Sequence, residues 1–132
     1  MVGGETLIAV GIGCRRGAGA EAIVTLVRDA LKRVHVEDLP IHLFSAEQKR
    51  EEPGLVAAAA SLQAPIDFLP RAALAAVEDR VRARSAAALA ALGVASVSEA
   101  AALAGAGPGA RLLMPRMARG GVTCAIAQGA AR

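Results

Sequence analysis

The sequence predicts a single α/β domain with a mixed, mostly parallel sheet, helices on both faces and a C-terminal strand pair. Short continuous apolar runs alternate with helical segments along the chain, which is the pattern of strands joined by helical crossovers. The chain has 132 residues, the ordinary length of one domain. Because no internal repeat or disordered linker interrupts it, residues 1–132 are expected to form one unit.

The N-terminal half carries the clearest local signals. Thr6 to Ile12 is a continuous apolar run bounded by glycine, which predicts a strand buried on both faces. Ala20 to Arg33 repeats apolar residues at helical spacing and predicts an amphipathic helix. Ile41 to Phe44 predicts a second strand. Pro53 to Leu62 predicts a second helix, because proline is well suited to the first helical position.

The middle of the chain is richer in alanine and proline. Pro65 to Pro70 predicts a third strand bounded by prolines. Ala72 to Leu92 predicts one or two alanine-rich helices. Ser96 and Glu99 then form the S-x-x-E pattern of a capping box, in which both side chains accept from free amides at a helix start.

Two strands are predicted at the C-terminus, Arg111 to Pro115 and Val122 to Ala127. Glycines between them predict a hairpin with a loop longer than the minimal turn. In α/β folds the loops that leave the carboxyl ends of parallel strands share one edge of the sheet, where ligands usually bind. Residues 14–17 and 47–52 are therefore expected on the same side of the domain.

Composition narrows the range of partners. The formal charge of +3 and the isoelectric point near 9.5 suit an anionic partner. The chain has two Phe and no Trp or Tyr, so it lacks the stacking surface typical of single-strand binders, and we expect no nucleic acid partner.

The cysteines and the chain's apolar segments indicate its compartment. Cys14 and Cys124 lack CxxC spacing and predict free thiols in a reducing compartment. No cationic leader or long apolar run is present, so we expect a cytoplasmic protein without membrane association.

The segment from Gly11 to Gly17 is the most informative part of the sequence. It joins a predicted buried strand to a helix start and contains Gly13 next to Arg15 and Arg16. Amides at a helix start favour negative charge, and arginine forks onto carboxylates and phosphates. The segment therefore predicts an anion site. Its spacing misses the G-x-G-x-x-G dinucleotide pattern by one residue, and a tight turn with solvated arginines is the simpler alternative.

Other candidate groups lie near this segment. Pro53 keeps Glu52 out of helical conformation, so Glu52 can cap a helix or act as a base, with Lys49 beside it. A solvated charged loop is the alternative. Cys14 is expected to have a lowered thiol pKa, because it lies next to arginines and a helix start.

Two further groups of polar residues have mainly structural interpretations. His35 and His42 do not stand at metal-ligand spacing with the cysteines, so no metal site is predicted. Ser96 and Glu99 are explained by capping, although Ser98 at the same helix start can offer a hydroxyl or an amide to a ligand.

Four blocks together resemble the cobalamin-biosynthesis family CobE, which is equivalent to the C-terminal domain of CbiG. In order they are Gly11 to Gly17, Lys49 to Leu55, Gly93 to Leu103 and Gly121 to Ala127. The resemblance implies a role on precorrin or hydrogenobyrinic-type intermediates, whose flat rings carry many acetate and propionate groups. It implies no cofactor, and other enzymes of the pathway are possible partners.

The resemblance and the anion site together predict the functional residues. Ligand contacts are expected from Gly11, Gly13, Cys14, Arg15, Arg16, Gly17, Ser98, Arg116 and Thr123, with Arg116 standing where the family often has lysine. A carrier, chaperone or accessory processing role is the leading hypothesis. The long CbiG proteins are associated with opening a cobalt-precorrin lactone, so a hydrolase using Glu52 or Glu99 as base and Lys49 or Arg15 for an oxyanion is the alternative. A nucleotide-binding module is the third.

Overall fold

A computed structural model of the chain describes residues 7–83 and 96–129. The strands in these ranges are β1 (Ile8–Cys14), β2 (Ile41–Ala46), β3 (Ile66–Leu69), β4 (Arg111–Arg119) and β5 (Val122–Gln128). The helices are α1 (Ala20–Arg33), α2 (Pro53–Leu62), α3 (Arg71–Ala75) and α4 (Val97–Ala106). The predicted α/β fold is confirmed. Within the described ranges, every helix is too short or too polar to cross a bilayer.

The five strands form one mixed sheet in the order β3-β2-β1-β5-β4. β1 pairs in parallel with β2, and β2 with β3. On the other side of β1 the pairs β1–β5 and β5–β4 are antiparallel. Cys14 at the end of β1 is opposite Val122 at the start of β5, so the β4–β5 turn lies at the same edge of the sheet as the loops that follow β1 and β2.

One face of the sheet carries the large aliphatic side chains. Alternate residues of a strand point to opposite faces, and on this face β1 places three fully buried side chains against α1 and α2. Burial of each such side chain contributes roughly 1.5–3 kcal/mol. Fully buried members of this cluster include Ile8, Val10, Ile12, Ile23, Leu26, Val27, Leu43 and Leu55.

The opposite face is lined by small residues, and α4 lies close against it. Ala9, Ala125 and Ala127 are all fully buried there. A Cβ atom at Gly11 would collide with the backbone oxygen of Ser98 and lie 2.6 Å from the Ala102 nitrogen. Glycine at this position therefore sets how closely the helix approaches β1.

The alanine-rich stretch 72–92 differs from its prediction within the described part. α3 covers only Arg71–Ala75 and is followed by a short 3-10 turn, Glu78–Arg80. The chain is extended at Val81, which is 8% exposed and packs in the core. Packing and long-range hydrogen bonds outweigh the helix preference of alanine here. Residues 84–92 of that prediction lie outside the described residues.

The C-terminal hairpin is tighter than predicted. Arg119 pairs with Val122, so its loop is the minimal pair Gly120 and Gly121, and the prediction of a longer loop is wrong. The two glycines have φ of +61° and +83°, which a type I′ turn requires at both central positions. β4 continues past Pro115 because the pairing shifts register between Met114 and Met117, and an irregular edge strand tolerates proline.

Candidate functional site

The loops after β1 and β2 meet at one edge of the sheet, which we call the rim (residues 13–17, 47–52 and 121–123). The backbone nitrogen of Gly17 donates to the Oε1 atom of Glu52 at 2.9 Å. α2 begins directly beside the same loop, since a Cβ atom at Gly54 would collide with the backbone oxygen of Ala18. The expectation that these two loops share one side of the domain is confirmed.

Backbone amides of the loop after β1 already have acceptors within the protein. Arg15 N donates to Gly121 O at 3.0 Å, and Ala18 N donates to Arg15 O at 3.2 Å. Gly17 N is occupied by the Glu52 carboxylate. The predicted cradle of free amides is therefore wrong for these three groups. The sequence offered no sign of this, because Glu52 lies 35 positions from Gly17.

Arg15 and Arg16 present exposed guanidinium groups at the rim. Neither has an Asp or Glu at ion-pair distance among the residues that the structure describes. A Cβ atom at Gly121 would collide with the side chain of Arg15, so the β4–β5 turn supports that side chain. No local pattern in the sequence links Gly121 with Arg15, although two consecutive glycines signal a tight turn.

Cys14 is half-buried at the rim and is a free thiol, as predicted. Burial raises its pKa, the positive charge of Lys49 opposes that rise, and the negative charge of Glu52 adds to it. The expected lowering of the thiol pKa is therefore wrong, because desolvation of the thiolate is the largest effect. The same influences show that Lys49 and Glu52 lie around Cys14. Burial raises the pKa of Cys124 to about 12.

Gly13 brings β1, β5 and the start of α4 together. The Thr123 hydroxyl donates to Gly13 O at 3.4 Å. A Cβ atom at Gly13 would lie 2.6 Å from that hydroxyl and 3.9 Å from Ser98 N. Two predicted ligand contacts turn out to be buried. Gly11 lies beneath α4, and Ser98 is 0% exposed with its Oγ 3.4 Å from Ser96 Oγ. Both therefore have packing roles.

Glu99 is a fully buried carboxylate on the first turn of α4. Its Oε1 accepts from Arg82 N at 2.6 Å and Ala83 N at 3.0 Å, and its Oε2 accepts from Arg116 N at 2.7 Å. The Ser96 cap is present, since its Oγ accepts from Glu99 N at 3.3 Å. Both carboxylate oxygens are thus bonded to backbone away from solvent, so the candidate base Glu99 is corrected to a structural acceptor.

The exposed Arg116 lies at the irregular part of β4, where Glu99 holds its backbone.

His42 lies on β2, towards the opposite edge of the sheet from β4. Its Nε2 lies 2.7 Å from Asp67 Oδ2, and its ring stacks on Phe44 with centroids 4.4 Å apart. These contacts give His42 a structural role. Within the described ranges, His, Cys, Asp and Glu side chains do not gather in threes as metal ligands would.

Comparison with known proteins supports one family. Residues 8–127 match the family model described as "Cobalamin synthesis G C-terminus". The chain is 33% identical over 121 residues to "Protein CobE" of Sinorhizobium sp, and the match covers 91% of this chain and 79% of that protein.

Solved structures agree with this result. A crystal structure of CobE, a protein from the cobalamin (vitamin B12) biosynthetic pathway, superposes with a TM-score of 0.87 at 39% identity, covering 96% of this chain and 93% of that one. Cobalamin biosynthesis protein chiG from Agrobacterium tumefaciens str. C58 gives 0.69 at 36% identity, with coverage of 92% and 97%. A putative cobalamin biosynthesis protein G homolog from Sulfolobus solfataricus, at 18% identity and 0.65, shares the fold over 94% of this chain and 37% of its own length. The chain belongs to the cobalamin synthesis G C-terminal family and is a protein of cobalamin biosynthesis.

Proposed function

We propose that this protein binds a carboxylate-rich tetrapyrrole intermediate of cobalamin biosynthesis at the rim, as a carrier or accessory processing protein. The observation that carries the proposal is the pair of exposed guanidinium groups on Arg15 and Arg16, which have no carboxylate partner in the described part of the chain. Guanidinium groups pair with carboxylates through two parallel hydrogen bonds. A ring bearing many acetate and propionate groups provides such carboxylates.

The arginine side chains, rather than the backbone amides, are the proposed anchors. The amide of Gly17 already donates to Glu52, so a ligand carboxylate at that point would have to displace a carboxylate of the protein. Arg15 and Arg16 need no such exchange. Lys49 is half-buried at the same rim and adds a third positive charge.

The test is a spectroscopic titration with hydrogenobyrinic acid. The double variant Arg15→Ala, Arg16→Ala is expected to weaken binding by about tenfold or more per arginine, because charge-assisted hydrogen bonds are lost. Lys32→Ala with Arg33→Ala is the matched control, since both residues are exposed on the last turn of α1. Unchanged affinity in the rim variant, or an equal loss in the control, would refute the site.

A catalytic role on the same ligand class is the second candidate. The cluster of Cys14, Lys49 and Glu52 at the rim favours it, because it combines a thiol, a cation and a carboxylate. Glu52 is the base to consider, since Glu99 is buried and its oxygens are bonded to backbone. Incubation with pathway intermediates followed by mass spectrometry separates the two roles. A spectral shift without a change in mass supports binding alone.

A further inference from the structure

A second cationic site lies on the α4 side of the sheet, beside the edge strand β4. Three arginines and two leucines line a cavity of about 200 Å³. One of them, Arg111, is opposite Gln128 in the β4–β5 pair, at the far end of the hairpin from the Gly120–Gly121 turn. The cavity is therefore separate from the rim. Its lining residues are Arg80, Arg82, Leu103, Arg111 and Leu112.

Three arginines line this cavity, and the carboxylate of Glu99 is bonded to the backbone of one of them, Arg82. The lining itself contains no Asp or Glu. Arg80, Arg82 and Arg111 are exposed, and among the described residues none of the three has a carboxylate at ion-pair distance. The guanidinium of Arg111 donates to the neutral Gln128 Oε1 at 3.2 Å. Like charges held together repel one another, so an anion that enters the cavity relieves that repulsion.

The backbone that carries two of these arginines is fixed. Arg80 N donates to Val77 O at 2.9 Å, and Arg82 N donates to the buried Glu99 carboxylate at 2.6 Å. Val81 between them is buried, while both arginines are exposed. Val81 is thus anchored in the core between two exposed arginines. Such anchoring lowers the entropy lost when the arginines bind a ligand.

The apolar part of the lining selects the kind of anion. Leu103 is 1% exposed and belongs to the core, while the half-buried Leu112 offers contact to a carbon skeleton beside the charged groups. At about 200 Å³ it lies below the usual volume of sites that enclose drug-sized ligands. We propose that this cavity binds a small polycarboxylate, either a free acid or the neighbouring carboxylate arms of a larger molecule bound mainly elsewhere.

The experiment is a calorimetric titration of the whole chain with citrate at constant ionic strength. Inorganic phosphate and acetate serve as comparison anions. We expect citrate to bind with a Kd below about 1 mM and to bind more tightly than either. The variant Arg82→Gln, Arg111→Gln should weaken citrate binding by about tenfold or more per arginine. Lys32→Gln with Arg33→Gln is the matched control for net charge.

Each outcome bears on the proposal. Equal citrate affinity in the cavity variant, an equal loss in the control, or phosphate binding as tight as citrate would overturn it. A second titration, with hydrogenobyrinic acid, distinguishes a free acid from the carboxylate arms of a larger molecule as the occupant. If Arg82→Gln, Arg111→Gln weakens that binding, the arms of a larger ligand occupy the cavity; if only citrate binding falls, a free acid does. Failure of hydrogenobyrinic acid to bind at all would refute the rim proposal and leave the citrate result standing.

Discussion

The Oε2 atom of Glu99 accepts a hydrogen bond from the backbone nitrogen of Arg116 at 2.7 Å, and this contact ties the start of α4 to the irregular part of β4. The other oxygen of the same carboxylate accepts from Arg82 and Ala83. One fully buried side chain thus holds three separate segments together. The same carboxylate holds the backbone of Arg82, which lines the cavity beside β4.

Replacing Glu99 should destabilise the protein. Glu99→Ala removes the acceptor of three backbone amides, and the free energy of unfolding should fall by about 3 kcal/mol or more, since each unsatisfied buried donor is costly. Glu99→Gln should cause a smaller loss, because its Oε1 still accepts from the backbone, while its NH2 group faces a donor and forms no hydrogen bond there. Urea denaturation followed by circular dichroism measures both changes.

Glu21→Ala is the control for this experiment, because Glu21 is an exposed acid on the first turn of α1. Its effect should stay within about 0.5 kcal/mol. If Glu99→Ala were as stable as Glu21→Ala, the structural role of Glu99 would be wrong, and Glu99 would again be a candidate base.

The glycine beneath α4 should not tolerate even one added carbon. In Gly11→Ala the new Cβ would meet the Ser98 backbone, and the helix would have to move. We expect a loss of about 1–3 kcal/mol in the free energy of unfolding from overpacking. Gly19→Ala is the comparison, because a Cβ there has no atom within 4 Å, and its cost should remain below about 1 kcal/mol. Equal losses in the two variants would contradict the close approach of α4 to β1.

The thiol of Cys14 should react slowly at neutral pH. Its pKa is raised by burial, so the reactive thiolate forms only above the ordinary thiol range, and the alkylation rate should rise with pH through that higher value. Lys49→Met should raise this pKa further by removing a nearby positive charge. Glu52→Gln should lower it by removing a negative charge.

Iodoacetamide labelling followed over pH, with peptide mass spectrometry to separate Cys14 from Cys124, gives the measurement. Cys124 provides an internal comparison, because burial raises its pKa to about 12 and it should remain unlabelled in the folded protein. A Cys14 pKa below the ordinary thiol value, a lowered pKa in Lys49→Met or a raised pKa in Glu52→Gln would disprove the described environment.

Local sequence patterns predicted the structure correctly where a residue's nearest neighbours in the chain determine its conformation. The apolar run that became Ile8–Cys14 and the helical spacing of Ala20–Arg33 both predicted elements that the structure contains. Pro53 begins α2 as predicted, and Ser96 caps α4. In each case the signal spans a few residues, because strand periodicity, helix periodicity and capping are short-range effects.

Tertiary structure decided the features that depend on partners far apart in the chain. The Glu52 carboxylate accepts from the amide of Gly17, which is 35 positions away in the sequence. The Glu99 carboxylate accepts from backbone amides 16 and 17 positions away. The raised pKa of Cys14 likewise depends on how deeply the rim buries it. Burial and hydrogen-bond partners of this kind follow from the packing of whole elements. The sequence by itself therefore determined the order and type of most elements and indicated the family. Only the fold showed which charged groups are free to meet a ligand, because folding brings distant acceptors to some of them and leaves others exposed.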